Sequence, residues 1–206
     1  MAHVTPKRWF LPETPDVLGL LRDQLAVTIE GVDAFVVWAA GEPCGASEVR
    51  EIEVRGDASK RELLNALREA FVTPLEPEDL FTLSRGIDWI LNGIGDLIRE
   101  AEVLECGPDA GVAEMAGLLA KAVRDLDAAI AQLGSSGDRA TAAADAAIEA
   151  VRDTQGAYYR GMAETIGLDA RAERIARREL YRRFGHIGDT VVDVAERVVY
   201  AVVKES

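Results

Sequence analysis

Apolar residues recur at three- and four-residue steps through almost the whole chain, and the strict alternation that a half-buried strand needs is scarce. Alanine is abundant, which favours helix further. A chain patterned in this way must cover one apolar stripe per helix, so it has to become a bundle of amphipathic helices. Five breaks rich in Gly and Pro set the number of helices at six. The first is predicted from about Asp16 to Ala40, carried by Val17, Leu20, Leu21, Leu25, Val32 and Phe35, and stops at Gly41-Glu42-Pro43-Cys44-Gly45. The second starts near Ser47, a natural N-cap, and continues through Leu63, Leu67 and Phe71 to Thr73-Pro74. The third begins at Pro77, with Glu78 and Asp79 suited to its first turn, and runs to about Glu105. Cys106-Gly107-Pro108 breaks the chain near its middle, and three more helices follow over about Asp109 to Leu133, Asp138 to Ile166 and Asp169 to Val203. The expected fold class is all-α. It is an antiparallel six-helix bundle in one compact domain, with an N-terminal extension (1–15), a first three-helix repeat (16–106) and a second (107–206).

At 206 residues the chain buries about 70% of its unfolded surface and needs no disulfides. Cys44 and Cys106 both sit beside Gly and Pro in predicted loops and are too few for a disulfide framework, which fits a reduced, intracellular protein. No uncharged apolar run approaches the roughly 20 residues of a membrane span. The N-terminus lacks an apolar core followed by a cleavage site, so a cytoplasmic location is expected. With 23 basic against 36 acidic side chains the net charge is −13, which argues against nucleic acid and favours cations or basic surfaces as partners. One stretch opposes the trend. Arg171, Arg174, Arg177, Arg178, Arg182 and Arg183 recur at helical spacing, read either as a solvated face or as a dock for an acidic partner or the membrane surface.

The acids themselves are patterned. Glu53-Val-Arg-Gly-Asp57 on the second helix is matched 96 residues later by Glu149-Ala-Val-Arg-Asp153 on the fifth. Asp88-Trp-Ile-Leu-Asn92 on the third is matched 101 residues later by Asp189-Thr-Val-Val-Asp193 on the sixth. A spacing of four sets both oxygens on one helix face, one turn apart, close enough for one cation or two neighbouring ones. If the second and third helices of each half pack antiparallel, four oxygen-bearing side chains converge, one site per half. The alternative is a solvated acidic face, since such pairs are frequent on acidic helices. At about 100° per residue, Glu53 falls inside the apolar arc of its helix and Asp57 at its edge, while Asp189 and Asp193 lie opposite Leu180, Phe184, Ile187, Val191 and Val198. The acids thus line a rim rather than the bundle centre. Oxygen ligands suit iron, Mn, Mg or Ca better than zinc or copper.

No other chemistry stands out. There is no Gly-rich phosphate loop, no C-x-x-C and no H-E-x-x-H, and neither His3 nor His186 is placed to activate a nucleophile. Gly86, Gly93 and Gly95 in the third helix each cost about 1 kcal/mol against Ala, a cost that close helix approach beside the acidic pair would explain. Trp89 sits away from the apolar arc of that helix, either exposed or covered by the other repeat.

Ile187-Gly188-Asp189-Thr-Val-Val-Asp193-Val-Ala-Glu196 resembles the I-G-D-x-x-x-N/D-I-A-E signature of the PhoU family, and both E-x-x-x-D pairs match its other motif. Ile52-Glu53-Val-Arg-Gly-Asp57, Leu63-Leu64, Phe71-Val72-Thr73-Pro74-Leu75 and Glu78-Asp79-Leu80 are similar to the shorter PhoU-like proteins that accompany Pit-type phosphate transporters. The resemblance spans nearly the whole chain. It implies two three-helix repeats, multinuclear metal sites on Glu53, Asp57, Asp88, Asn92, Glu149, Asp153, Asp189 and Asp193, and a regulatory or accessory role in phosphate uptake. Asn92 stands where the family has a carboxylate, Asp96 comes one residue later than its glutamate, and Gly86 and His186 replace a frequent arginine. The function expected is that of a non-enzymatic cytoplasmic protein working with a phosphate transporter at the inner membrane face, and self-association is compatible with this plan. A metal-free helical adaptor and a carboxylate-metal phosphohydrolase are the alternatives.

Overall fold

The computed structural model describes residues 15–205, and nearly all of them are α-helical. His3 and almost all of the predicted N-terminal extension lie outside these residues. The helices are α1 (Val17–Ala39), α2 (Cys44–Glu69), α3 (Pro77–Val103), α4 (Ala110–Ala131), α5 (Gly137–Ile166) and α6 (Arg171–Glu205). Short polar side chains start two of them: the Asp16 carboxylate accepts from Gly19 N at 2.9 Å and that of Asp109 from Val112 N at 2.9 Å. Gly41, at a φ of 96°, turns the chain out of α1 in a conformation that a side chain would resist.

Among the expected boundaries that move, both ends of α2 do so for a physical reason. Helix α2 begins at Cys44 rather than near Ser47, whose hydroxyl instead donates to Cys44 O at 2.9 Å inside the first turn. The first turn presses onto α1 so closely that a Cβ on Gly45 would overlap the backbone of Ala34 and Trp38. At its other end α2 stops at Glu69, and Phe71 is 90% exposed in the following bend. The loop is anchored instead by buried Leu75, whose carbonyl accepts from Thr73 Oγ1 at 2.6 Å. Helix α6 starts at Arg171 rather than Asp169.

Helices α1, α2 and α3 pack on one another, α4, α5 and α6 do the same, and the two sets meet through α1 on α4 and α3 on α6. Consecutive helices run antiparallel. The core runs through both sets. Phe35 of α1 stacks on Trp38 at 5.5 Å and tilts against Phe184 of α6 at 6.0 Å. Along α3, Leu83, Ile87, Ile90, Ile94 and Leu97 are fully buried, each such side chain contributing about 1.5–3 kcal/mol. A polar tie crosses this core: Gln24 Nε2 donates to Ser84 O at 2.9 Å and Ser84 Oγ donates to Gln24 Oε1 at 2.7 Å. Both partners are satisfied, so the tie fixes α1 against α3 without leaving a buried polar group unpaired.

Tyr181 ties α6 to the start of α4. It is fully buried, and its hydroxyl donates to Asp109 Oδ1 at 2.9 Å. Burial, and then the Asp109 carboxylate, hold the phenol well above its ordinary value. A group kept protonated by the fold contributes stability that is complete below the ordinary tyrosine value near 10 and is lost as pH rises above it. Tyr181→Phe is therefore expected to cost about 1 kcal/mol near neutrality. It should also flatten the alkaline decline of stability above pH ~10, read from urea midpoints across pH. The cysteines supply a second check. Cys44 is exposed, whereas Cys106 is buried and its thiol is raised by that burial. Brief iodoacetamide treatment of the folded protein should give a single adduct, on Cys44, by peptide mass spectrometry.

Candidate functional site

On α2, Glu53, Asp57 and Lys60 fall on one stripe, and on α3, Asp88, Asn92, Gly95 and Arg99 fall on another. The antiparallel run of the two helices sets Glu53 beside Gly95 and Arg99, and Lys60 beside Asp88. The Arg99 guanidinium grips Glu53 with both arms, Nη1 to Oε2 at 2.8 Å and Nη2 to Oε1 at 3.1 Å, and Nη2 also reaches Asp96 Oδ1 at 2.8 Å. The hydrogen bonds to Glu53, then Asp96, raise the guanidinium further above its already high value. Glu53 retains 14% of its side-chain exposure. It lies this close to α3 because residue 95 is glycine; a Cβ there would overlap the carboxylate. One to two turns away, Lys60 Nζ donates to Asp88 Oδ2 at 2.5 Å and Asn92 Nδ2 donates to the same oxygen at 3.1 Å. Asp88 is 7% exposed. Asp57 points to solvent.

Glu53, Asp88 and Asn92 thus share one seam, with Asp57 on its solvent side, and two members of the seam were missed. Lys60 follows Glu53 by seven residues and Arg99 follows Asp88 by eleven, spacings that return to the same helix face. That signal is present in the sequence, but acid spacing alone does not use it.

The second half is arranged differently. Ile148, Val151, Arg152 and Gln155 line the groove between α5 and α6, which leaves Glu149 and Asp153 exposed on the outer side of α5. Asp189, 81% exposed, borders this groove, whereas Asp193 borders the groove between α3 and α6 with Arg85, Trp89 and Arg197. Glu149 and Asp153 therefore do not meet Asp189 and Asp193. Among the described residues no three His, Cys, Asp or Glu side chains gather where they could hold a metal ion. Which face of α5 meets α6 is decided by packing, with Val151 seated against Gly188. His186 is exposed, its Nε2 2.9 Å from Arg182 Nη1 and its Nδ1 3.8 Å from Asp189 Oδ2. Trp89 is 53% exposed under the Arg85 guanidinium, 4.9 Å from its ring centre.

The T-P-x-x-x-E-D stretch has a clear task. Asp79, 2% exposed at the start of α3, faces Arg197 Nη2 at 2.6 Å in an ion pair and accepts from Lys204 Nζ at 3.2 Å, both on α6. Lys204 also donates to Glu76, and that bond, then the one to Asp79, raises the ammonium above its ordinary value. Tyr200 lies between the two cations, 5.0 Å from the Arg197 guanidinium and 5.3 Å from Lys204 Nζ. This clamp joins the two helix sets. Further along the same interface Arg183 bonds Glu100, and at the start of α4 Arg177 sits 3.1 Å from Asp109 while donating to Gly107 O at 2.8 Å. Part of the arginine stripe is therefore turned inward rather than solvated.

Asp79→Asn keeps the shape and removes the charge that Arg197 and Lys204 face. It is expected to lower stability by roughly 2–3 kcal/mol by urea unfolding. Glu149→Gln with Asp153→Asn should change it by less than about 0.5 kcal/mol, as exposed acids without partners do.

No family model matches the chain. It is 26% identical over 82 residues to the UPF0111 protein YkaA of Bacillus subtilis, covering 39% of this chain and 40% of that one. The match thus spans about two-fifths of the relative's length. Among solved structures, a PhoU-like protein from Shewanella oneidensis MR-1 superposes with a TM-score of 0.79 at 16% identity, over 92% of this chain and 100% of the other. A putative PhoU-like phosphate regulatory protein from the same organism gives a TM-score of 0.67 at 15% identity, with the same coverage. Among the described residues no helix is long and apolar enough to cross a membrane. The all-α six-helix fold is that of PhoU-like proteins.

Proposed function

We propose that this chain is a non-enzymatic regulator or accessory protein of inorganic phosphate transport, acting on a transporter of Pit type at the cytoplasmic membrane face. The observation that carries this reading is the superposition of nearly the whole chain on the whole of a putative PhoU-like phosphate regulatory protein. The motif content agrees with it: the E-x-x-x-D and I-G-D-x-x-x-D stretches stand on the helices where the resemblance puts them. The surface agrees as well. A chain carrying −13 repels free phosphate, which suits a protein that works through a partner rather than by binding the anion itself. Its exposed arginines, Arg171 and Arg178, and exposed apolar side chains such as Phe71, Ile166 and Ile175 offer contact points for that partner.

The test is made in the source organism. Deletion of the gene is expected to change the rate of radiolabelled phosphate uptake. Crosslinking of a tagged chain in intact cells is expected to recover a phosphate permease from the membrane fraction. Unchanged uptake at both low and high phosphate, with no permease recovered, would remove the assignment.

A further inference from the structure

We infer that the acidic seam between α2 and α3 is closed by the chain's own cations, with Lys60 and Arg99 holding the places that the acid spacing assigns to metal ions. The inference concerns the metal requirement of the fold and is tested without reference to the transport reading. Glu53 has both oxygens engaged by the Arg99 fork, at 2.8 and 3.1 Å, a bidentate geometry that a planar guanidinium satisfies fully. The same guanidinium reaches Asp96 at 2.8 Å, so an incoming divalent cation would have to displace it from three carboxylate oxygens. Asp88 is almost fully buried, and one of its oxygens already accepts from both Lys60 and Asn92.

What remains is too little for a hard cation. Mg²⁺ asks for six oxygens in near-octahedral order and Ca²⁺ for about six to eight. The seam offers only Asp57 without a cationic partner, and that residue points to solvent. Gly95 makes the fit specific. The Glu53 carboxylate lies against the α3 backbone where a Cβ would stand, in the position from which Arg99 reaches it squarely. The second half provides no substitute, since Glu149 and Asp153 face away from α6.

The experiment reads metal and melting temperature on the full chain. Protein purified without chelator is analysed by inductively coupled plasma mass spectrometry, then melted in EDTA and in millimolar MnCl₂ or MgCl₂. The expected result is no stoichiometric metal and one melting temperature in all three conditions. Arg99→Ala and Lys60→Ala each strip a carboxylate of its cation. Each should melt roughly 5 °C lower in EDTA and regain part of the loss in Mn²⁺, which the wild type does not do. Arg99→Lys keeps the charge but not the fork, and should fall between wild type and Arg99→Ala. Should an alanine variant fail to fold, the wild-type metal analysis and Arg99→Lys still decide. About one metal ion per chain in the wild type, lost in Glu53→Gln or Asp88→Asn, would overturn the inference. So would a Mn²⁺-induced rise in the wild type as large as in the alanine variants.

Discussion

Helix α3 is covered from two directions, by α1 and α2 on one side and by α6 on the other, and the rest of the bundle depends on this double burial. A helix so enclosed needs an apolar surface wider than a single stripe, which Leu83, Ile87, Ile90, Ile94 and Leu97 provide. It also needs places where neighbours can come close. Gly86 lies under Val194 of α6, and Gly95 lies under Glu53 of α2, so the cost of glycine within a helix is offset on two different interfaces. Once α3 is seated, its buried Asp79 and Ser84 fix the remaining freedom: Ser84 sets the register against α1 and Asp79 the register against α6.

The charge pattern follows from the same geometry. Basic side chains are in the minority, and many of them stand at seams between helices: Lys60 and Arg99 between α2 and α3, Arg197, Lys204 and Arg183 between α6 and α3, Arg177 at the start of α4. Pairs there are partly removed from water and interact strongly, while exposed pairs such as Arg50 with Glu102 contribute about 0–1 kcal/mol. The uncompensated negative charge is left on outer faces, where Asp57, Glu149 and Asp153 stand without cationic partners.

Much of this was legible in the amino-acid order. The three- and four-residue apolar step and the Gly/Pro breaks mark six helices because each break removes a backbone hydrogen bond or supplies a conformation that helices avoid. The edges were less legible. Ser47 has the chemistry of a cap, yet tertiary contact through Gly45 lets α2 start earlier, a preference that local propensity does not contain. Phe71 fits the apolar period of α2 and is nonetheless exposed, because the chain turns at Ala70 to reach Leu75. The wheel placed Glu53 inward and Asp189 outward correctly, as their exposures show.

The spacing of acids was the weakest guide, for a definite reason. Two carboxylates four residues apart share a helix face whatever that face meets, so the pair carries no information about its partner. The partner is written elsewhere, in residues whose size and charge only make sense across an antiparallel seam. Glu53 and Gly95 are such a complement, and so are Asp88 and Lys60: on each, one helix supplies an acid and the other supplies room or a cation at the matching height. Opposite Glu149 and Asp153 there is no complement, since Gly188 of α6 receives Val151 instead. Matching each acid to its antiparallel counterpart therefore separates acids that face a neighbouring helix from acids that face water, a distinction that their repetition along the chain does not make.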